Sequence, residues 1–442
     1  MTSLPSIPPD AGHGRPAGPE LLLRRVRLPI GGVADVLLAE GKIAAVGGYP
    51  VGQPPAAEVL DLRGYLLLPS LAEPHVHLDT AFTAAGTGKP DGSRHGPTGA
   101  WAAARPGLSA AGITCRAWKA ATRYLAHGTT AVRAHVDVGG EAGLRAVQAL
   151  LDVRSGLAAA ADIEIVAQAP GPVTGRAGAA NRSLLREAMA GGADLVGGVP
   201  ALDDDPRGAV DVLAAVAADA AAGLDLHVGE TADPAAGTLA RLTAIAEAGF
   251  GGPITASHVV SLGVQAPERR RAAAQALAHA GISVVTLPQA SLFRPGRGMG
   301  ATAPRGLAAV PELLDAGVLL AAGGGHLQDP VNPMGRADPL ETAALLVMGA
   351  HLTPAEAFAA VTSVARRIMR LPDVTILPGA PADLVAVRAA DLAGAVATGT
   401  PDRIVLRGGQ VVARTWVSSE LAVEAPSWNA PSWTVPQPRP AW

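Results

Sequence analysis

Apolar runs of strand length recur through the middle of the chain, and each is followed by an Ala-rich stretch with helical spacing. Eight are legible, at residues 65–78, 129–138, 162–170, 195–202, 224–230, 254–259, 283–289 and 318–325. Their apolar character is continuous rather than alternating, which fits parallel strands covered on both faces. Eight strand–helix units over roughly 260 residues predict an α/β chain built on a (β/α)₈ barrel of the TIM type. An open doubly wound sheet is the competing layout, but no glycine-rich phosphate fingerprint follows the first strand to support it.

The two ends of the chain read differently. Residues 21–28 and 34–46 are short strand patterns, the second broken by the turn Glu40-Gly41-Lys42, and similar patterns return at 382–387 and 403–412. Two β-rich ends can pair, so residues 19–66 and 376–420 are expected to form a small β-sandwich beside a barrel over 67–375. Residues 1–18 are rich in Pro, Gly and Ser and are expected to be disordered. They lack the basic-then-apolar order of a signal peptide. The Pro-rich tail, 421–442, carries Trp428, Trp433 and Trp442, half of the six tryptophans. It reads as a disordered extension or as a strap whose indoles cover an apolar patch.

Bulk properties narrow the function. Hydrophobic residues make up 49% of the 442, enough for a large core, and the formal net charge is −3. That balance gives no electrostatic case for nucleic acid or an anionic membrane. No apolar run reaches the roughly 18 residues of a membrane span. Cys115 is the sole cysteine, which excludes an intrachain disulfide and a cysteine zinc cage and fits a reducing cytoplasm. It sits near a helix start and reads as structural rather than as a nucleophile.

The candidate chemistry lies at the ends of the strands. The first barrel strand ends in Glu73-Pro74-His75-Val76-His77-Leu78-Asp79. Histidines at i and i+2 of a strand project to one side, so both rings can reach one metal ion at the barrel's C-terminal rim. The fifth strand ends with His227 and Glu230, and the sixth with His258. Imidazole suits zinc, iron and similar ions. Four histidines at that rim, where barrel active sites sit, point to a metal centre. A metal ion acidifies water toward neutral pH, and a carboxylic acid beside it can move protons. His95, His127, His279 and His351 fall in loop or helical stretches and carry no such signal.

These segments resemble the amidohydrolase superfamily, and within it the branch of cytosine deaminase and its actinobacterial relatives. The resemblance runs from about residue 67 to 372. It includes the first-strand motif, Val132-Arg133-Ala134-His135-Val136-Asp137-Val138, Thr255-Ala256-Ser257-His258 and Leu327-Gln328-Asp329-Pro330. It implies His75, His77 and His227 as ligands of one divalent ion, zinc or iron. It further implies Glu230 as proton shuttle, His258 beside the attacking water, and a small cyclic nitrogenous substrate. No lysine follows Lys119, which leaves out the lysine-bridged two-metal form. Relatives are often homo-oligomers.

Three positions depart from the family pattern. Gly229 stands where an acid precedes the shuttle. The third strand reads Ala167-Gln168-Ala169-Pro170-Gly171 instead of ending in a Pro-Gln pair, although Gln168 is nearby. The eighth strand gives Gly325-His326 where an aspartate that ligates the metal and accepts a proton belongs. Alternation along a strand turns His326 away from the site, yet three successive glycines permit a remodelled loop. His326 is therefore either a replacement ligand or base, or a loop histidine at the pocket mouth, with Asp329 and Asp79 as fallback acids. Gln168, Asp137 and Arg297 are candidate substrate contacts, and His135 is an inward-facing barrel group. A C–N hydrolase (deamination or ring hydrolysis) is the leading reading. A pseudoenzyme that binds a metal or ligand without turnover is the alternative, with carbon–carbon or decarboxylating chemistry a weaker third.

Overall fold

The computed structural model describes residues 20–48, 58–86, 105–235, 237–294 and 303–420. The expectations for residues 1–18 and for the tail lie outside these. Five strands come first: β1 (Leu21–Arg27), β2 (Val33–Ala39), β3 (Lys42–Gly47), β4 (Glu58–Asp61) and β5 (Leu66–Pro69). Eight follow: β6 (Leu71–Val76), β7 (Thr129–Asp137), β8 (Asp162–Ala169), β9 (Leu195–Gly198), β10 (Gly223–Val228), β11 (Ile254–His258), β12 (Ser283–Thr286) and β13 (Leu320–Ala322). Then come β14 (Leu384–Val387), β15 (Arg403–Arg407) and β16 (Gln410–Thr415).

Strands β6 to β13 pair in chain order, all parallel, and a bridge between Val76 and Gly325 joins the last to the first. Helices fill each crossover, from Ala110–Ala126 after β6 to Pro339–Ala350 after β13. The eight expected units are thus a TIM-type barrel. Helix Ala110–Ala126 shows why these stretches coil. Ser109 caps its first turn by accepting Gly112 N–H, and Ile113, Ala117, Ala120, Ala121 and Tyr124 form one buried stripe.

Alternation along β7 divides its side chains between two environments. Val132, Ala134 and Val136 join the main core under the helices. Ala131 joins a small apolar floor with Ala72, Val285, Leu287 and Ala321, plugged by Ile368 and Met369. Arg133, His135 and Asp137 continue that inner face upward, so the barrel lumen becomes polar toward the rim. This explains why β7 reads as continuously buried.

The run at 65–78 proves to be two strands. Leu66–Pro69 pair antiparallel with β14, and the chain crosses to the barrel at Ser70, where Ser70 N–H bonds Asp383 O and Leu71 N–H bonds Gly128 O. Leu67 enters the core of the terminal sheet, whereas Leu66 and Leu68 face the barrel core. A strand buried on both faces has the same apolar signature in either sheet. The terminal sheet runs β16-β15-β14-β5-β1-β2-β3, with β4 beside β1. It bends where β1 meets β5 through the single pair Arg27–Leu66, and Ile43 ties β3 back to Gly379 and Ala380. One core of Leu23, Val36, Ile43, Leu67, Leu384 and Leu406 results.

Two buried arginines staple this sheet to the barrel. Arg403 donates to both Asp338 carboxylate oxygens (2.9 and 2.6 Å) and to His127 O. Arg407 bridges Asp383 and Asp162. Removing one partner of a buried pair strands the other, so Arg403→Leu should cost about 3–5 kcal/mol. Urea unfolding checks this, and a midpoint equal to that of the parent chain would refute it.

Candidate active site

The end of β6 and the end of β10 bring three imidazoles to one point. His227 Nε2 lies 3.1 Å from His75 Nε2 and 3.1 Å from His77 Nε2. All three rings are buried, and burial, reinforced by the neighbouring imidazoles, lowers each pKa well below the usual histidine value. They are neutral at pH 7, so each ring keeps one nitrogen lone pair that could bind an ion. Bonds of about 2.0–2.1 Å to a tetrahedral zinc place donor atoms about 3.3 Å apart. The two spacings to His227 match edges of that shell, and imidazole nitrogens suit a borderline-soft divalent ion.

His135, on β7, stacks on His75 with ring centroids 3.8 Å apart and 24° between planes. It can join His75 and His227 in a metal-sized group. Among the described residues neither of its ring nitrogens has a close hydrogen-bond partner; Nε2 stands 3.5 Å from Asp225 Oδ2. Beneath the imidazoles, Asp225 accepts from Arg133 (2.8 Å) and Ser257 (2.8 Å), and Arg133 also pairs with Glu164 (2.6 Å). Burial works against the Asp225 anion, but His135 and Arg133 outweigh it and hold its pKa at about 2.

The opposite wall carries the acid and base candidates. His258 Nε2 stands 3.5 Å from Glu230 Oε1, and Arg294 donates to Glu230 Oε2 at 3.3 Å. Burial raises the Glu230 pKa, but the charges of His258 and Arg294 prevail and set it at about 2. His258 is lowered to about 4, chiefly by burial, against the pull of Glu230. His258 (φ +74°) and Val259 (φ +51°) both sit in left-handed backbone. For a β-branched residue that conformation is strained, and such strain gathers at functional rims.

The glycines after β13 are shaped by Glu73. Its buried carboxyl accepts from Gly324 N–H (3.1 and 3.0 Å) and His75 N–H (3.1 Å), and burial pushes its pKa up to about 8 against those donors. A Cβ on Gly323 would fall 2.4 Å from Glu73 Oε1, and one on Gly324 would meet Tyr124 Oη at 3.0 Å. At Gly325 nothing comes nearer than 3.6 Å, but φ is +72°. That left-handed turn overrides strand alternation and brings His326 into the pocket. Its ring stacks on His77 (4.3 Å, 8°), and its Nδ1 lies 2.6 Å from Asp329 Oδ2. Asp329 also accepts from Thr80 and from the Val331 and Asn332 N–H groups.

A cavity of about 280 Å³ opens above these groups, and His77, His227, Glu230, Arg294, His326, Asp137 and Gln168 are among its lining residues. Gln168 Nε2 donates to Asp137 Oδ1 (3.1 Å), and Arg105 reaches Asp137 Oδ2 (3.4 Å). Gln168 Oε1 is buried with no hydrogen-bond partner among the described residues. Arg297 lies outside the described residues. Arg105 and Arg294 were missed by sequence reasoning and carry no local signal. The packing of His135 on His75 was also missed, although its position on the inner face was legible.

The Amidohydrolase family matches this chain over residues 100–418. The chain belongs to the amidohydrolase family. This amidohydrolase is 32% identical over 391 residues to a pterin deaminase of Rhizobium rhizogenes, covering 86% of this chain and 88% of the relative. The solved 5-methylcytosine deaminase from Klebsiella pneumoniae, liganded with 5-fluorocytosine, superposes with a TM-score of 0.82 at 27% identity, covering 90% of this chain and 99% of that one. N-isopropylammelide isopropylaminohydrolase from Burkholderia multivorans is 31% identical with a TM-score of 0.77, at 90% and 99% coverage. The amidohydrolase described here is a hydrolase acting on carbon–nitrogen bonds. Its family uses a divalent metal ion, and the imidazole cluster could hold one. Among the described residues, no helix is long and apolar enough to cross a membrane.

The glycine geometry yields a paired prediction. Gly323→Ala drives a methyl into Glu73 and should destabilise by about 1–3 kcal/mol or more. Gly325→Ala should cost about 1–2 kcal/mol, from its left-handed backbone alone. Thermal unfolding of both variants measures the order, and a Gly323 variant as stable as the parent would contradict the clamp.

Proposed function

We propose that this amidohydrolase is a one-metal deaminase that hydrolyses the exocyclic C–N bond of a small amino-substituted nitrogen heterocycle. A pterin-type amino-oxo ring is the first substrate to test. The observation that carries the reading is the convergence of three imidazole Nε2 atoms opposite the Glu230–His258 pair. The relatives support the substrate class: a pterin deaminase, a 5-methylcytosine deaminase and an isopropylammelide hydrolase all act on nitrogen heterocycles by their names.

His75, His77 and His227 hold the ion, zinc or ferrous iron. When bound, such an ion is a Lewis acid that makes water nucleophilic at neutral pH. In the reaction, water oxygen adds to the ring carbon bearing the amino group, the C–N bond breaks, and ammonia leaves behind an oxo ring. Glu230, ionised at neutral pH, takes a proton from the attacking water and returns it to the ring or the departing amine. His258, neutral at pH 7, orients the water from the side facing Glu230. Gln168 donates to Asp137, so its Oε1 is an acceptor that reads an N–H edge of the substrate.

His326 takes over the proton-accepting part of the absent aspartate. The Asp329 carboxyl already accepts from Thr80 and from the Val331 and Asn332 N–H groups, so its contact with His326 Nδ1 is best read as one more acceptance, which leaves Nε2 facing the pocket as the proton acceptor. The metal-ligating part of that aspartate has no replacement on β13. That gap motivates the second reading, an impaired enzyme, because Gly325 offers no ligand atom.

Release of ammonia from pterin and aminopyrimidines, and of the alkylamine from N-alkylated triazines, separates these readings. Chelation should abolish release and zinc should restore it, whereas a metal-stripped protein of undiminished activity would overturn the proposal. His326→Ala should lower kcat by roughly 10²–10⁴-fold. If His326→Ala changes nothing and Gly325→Asp raises activity, the impaired-enzyme reading is the correct one. Gln168→Leu should raise KM more than it lowers kcat, and an unchanged KM would remove Gln168 from the substrate contacts.

A further inference from the structure

We infer that Ser257 and Asp225 are positioning residues that fix which nitrogen of His75 bears the proton, and thereby set how tightly the site holds its ion. This rests on the metal-site reading above. The inference follows from counting donors along a buried chain of contacts. Asp225 Oδ2 receives Arg133 at 2.8 Å, and Asp225 Oδ1 lies 2.8 Å from Ser257 Oγ. A carboxylate paired with a guanidinium has only lone pairs to offer, so the hydroxyl hydrogen of Ser257 points at Asp225. The other side-chain contact of Ser257 Oγ is His75 Nδ1 at 2.9 Å. With its hydrogen committed, Ser257 can only accept there, so His75 Nδ1 carries N–H. A neutral imidazole then has its free lone pair on Nε2, the atom 3.1 Å from His227 Nε2.

The fold builds this relay by register. On β10 and β11, Asp225 lies beside Thr255 and His227 beside Ser257, so the inner face of each strand adds one polar layer below the rim. His75, Ser257 and Asp225 are all fully buried, and no bulk water can substitute for a lost partner. Among the described residues His227 has no comparable anchor, since its buried Nδ1 meets no hydrogen-bond partner there. The relay therefore acts on His75, and through it on the whole three-nitrogen shell. Support of this kind for a metal-ligating histidine is worth roughly 10–100-fold in affinity.

The test uses the full chain and zinc itself. Zinc affinity, read by competition with a chelating dye, should fall about 10–100-fold in Ser257→Ala. It should stay within a few fold in Ser257→Thr, which keeps the hydroxyl. The visible spectrum of the cobalt-loaded protein should change in the alanine variant and persist in the threonine one. If the alanine variant does not fold, Ser257→Cys, a near-isostere with a weak acceptor, should show the same direction of loss. An alanine variant with the parent's zinc affinity and cobalt spectrum would overturn the relay while leaving the deaminase proposal standing. A parent chain that binds neither zinc nor cobalt would overturn both.

Discussion

Two backbone hydrogen bonds hold the catalytic rim together. His77 N–H donates to Gly325 O at 2.8 Å, and Gly325 N–H donates to His75 O at 3.0 Å. They close the barrel at the point where β13 is only three residues long. They also fix the backbone of the two histidines whose rings must meet His227. If that seam were displaced by an ångström, His75 and His77 would no longer both reach His227 Nε2. Glu73 reinforces it from below by gripping Gly324 and His75 together, and this leaves no room for a side chain at Gly323.

The lumen under the rim is graded. An apolar floor of Ala72, Ala131, Val285 and Ala321 gives way to the Arg133–Asp225–Glu164 charge cluster, then to the imidazoles, then to the open cavity. Each buried charge in the middle layer has an opposite partner, as burial in a low-dielectric interior requires. The cluster is thus a support for the site rather than a source of net stability, because buried ion pairs roughly offset their own desolvation. Removing one member would be felt at the rim as well as in the fold.

Much of this was legible in the sequence because it follows from two periodicities. Eight apolar runs separated by helical stretches give the barrel, and histidines at strand ends give the imidazole cluster at its rim. What was not legible depends on contacts between distant segments. Strand β5 reads as part of the first barrel strand because a doubly buried strand looks the same in either sheet. Strand alternation turns His326 away, whereas in the structure it points inward because Gly325 turns left-handed, a feature that glycine permits but does not announce. Arg105, opening a single 3₁₀ turn, and Arg294, capping the short helix Pro288–Phe293, reach the pocket from helix ends where no spacing rule applies. His135 was correctly placed on the inner face, but its stacking on His75 depends on strand stagger, which periodicity does not encode.

The pairing of β5 with β14 has a consequence for how the chain is made. Leu66–Pro69 emerge from the ribosome early, and their partners Leu384–Val387 emerge only after the entire barrel has been synthesised. Arg403 and Arg407, which lock the two units, come later still. Contacts so far apart in sequence form slowly. The nascent barrel must therefore wait with one apolar flank uncovered until its C-terminal partners arrive.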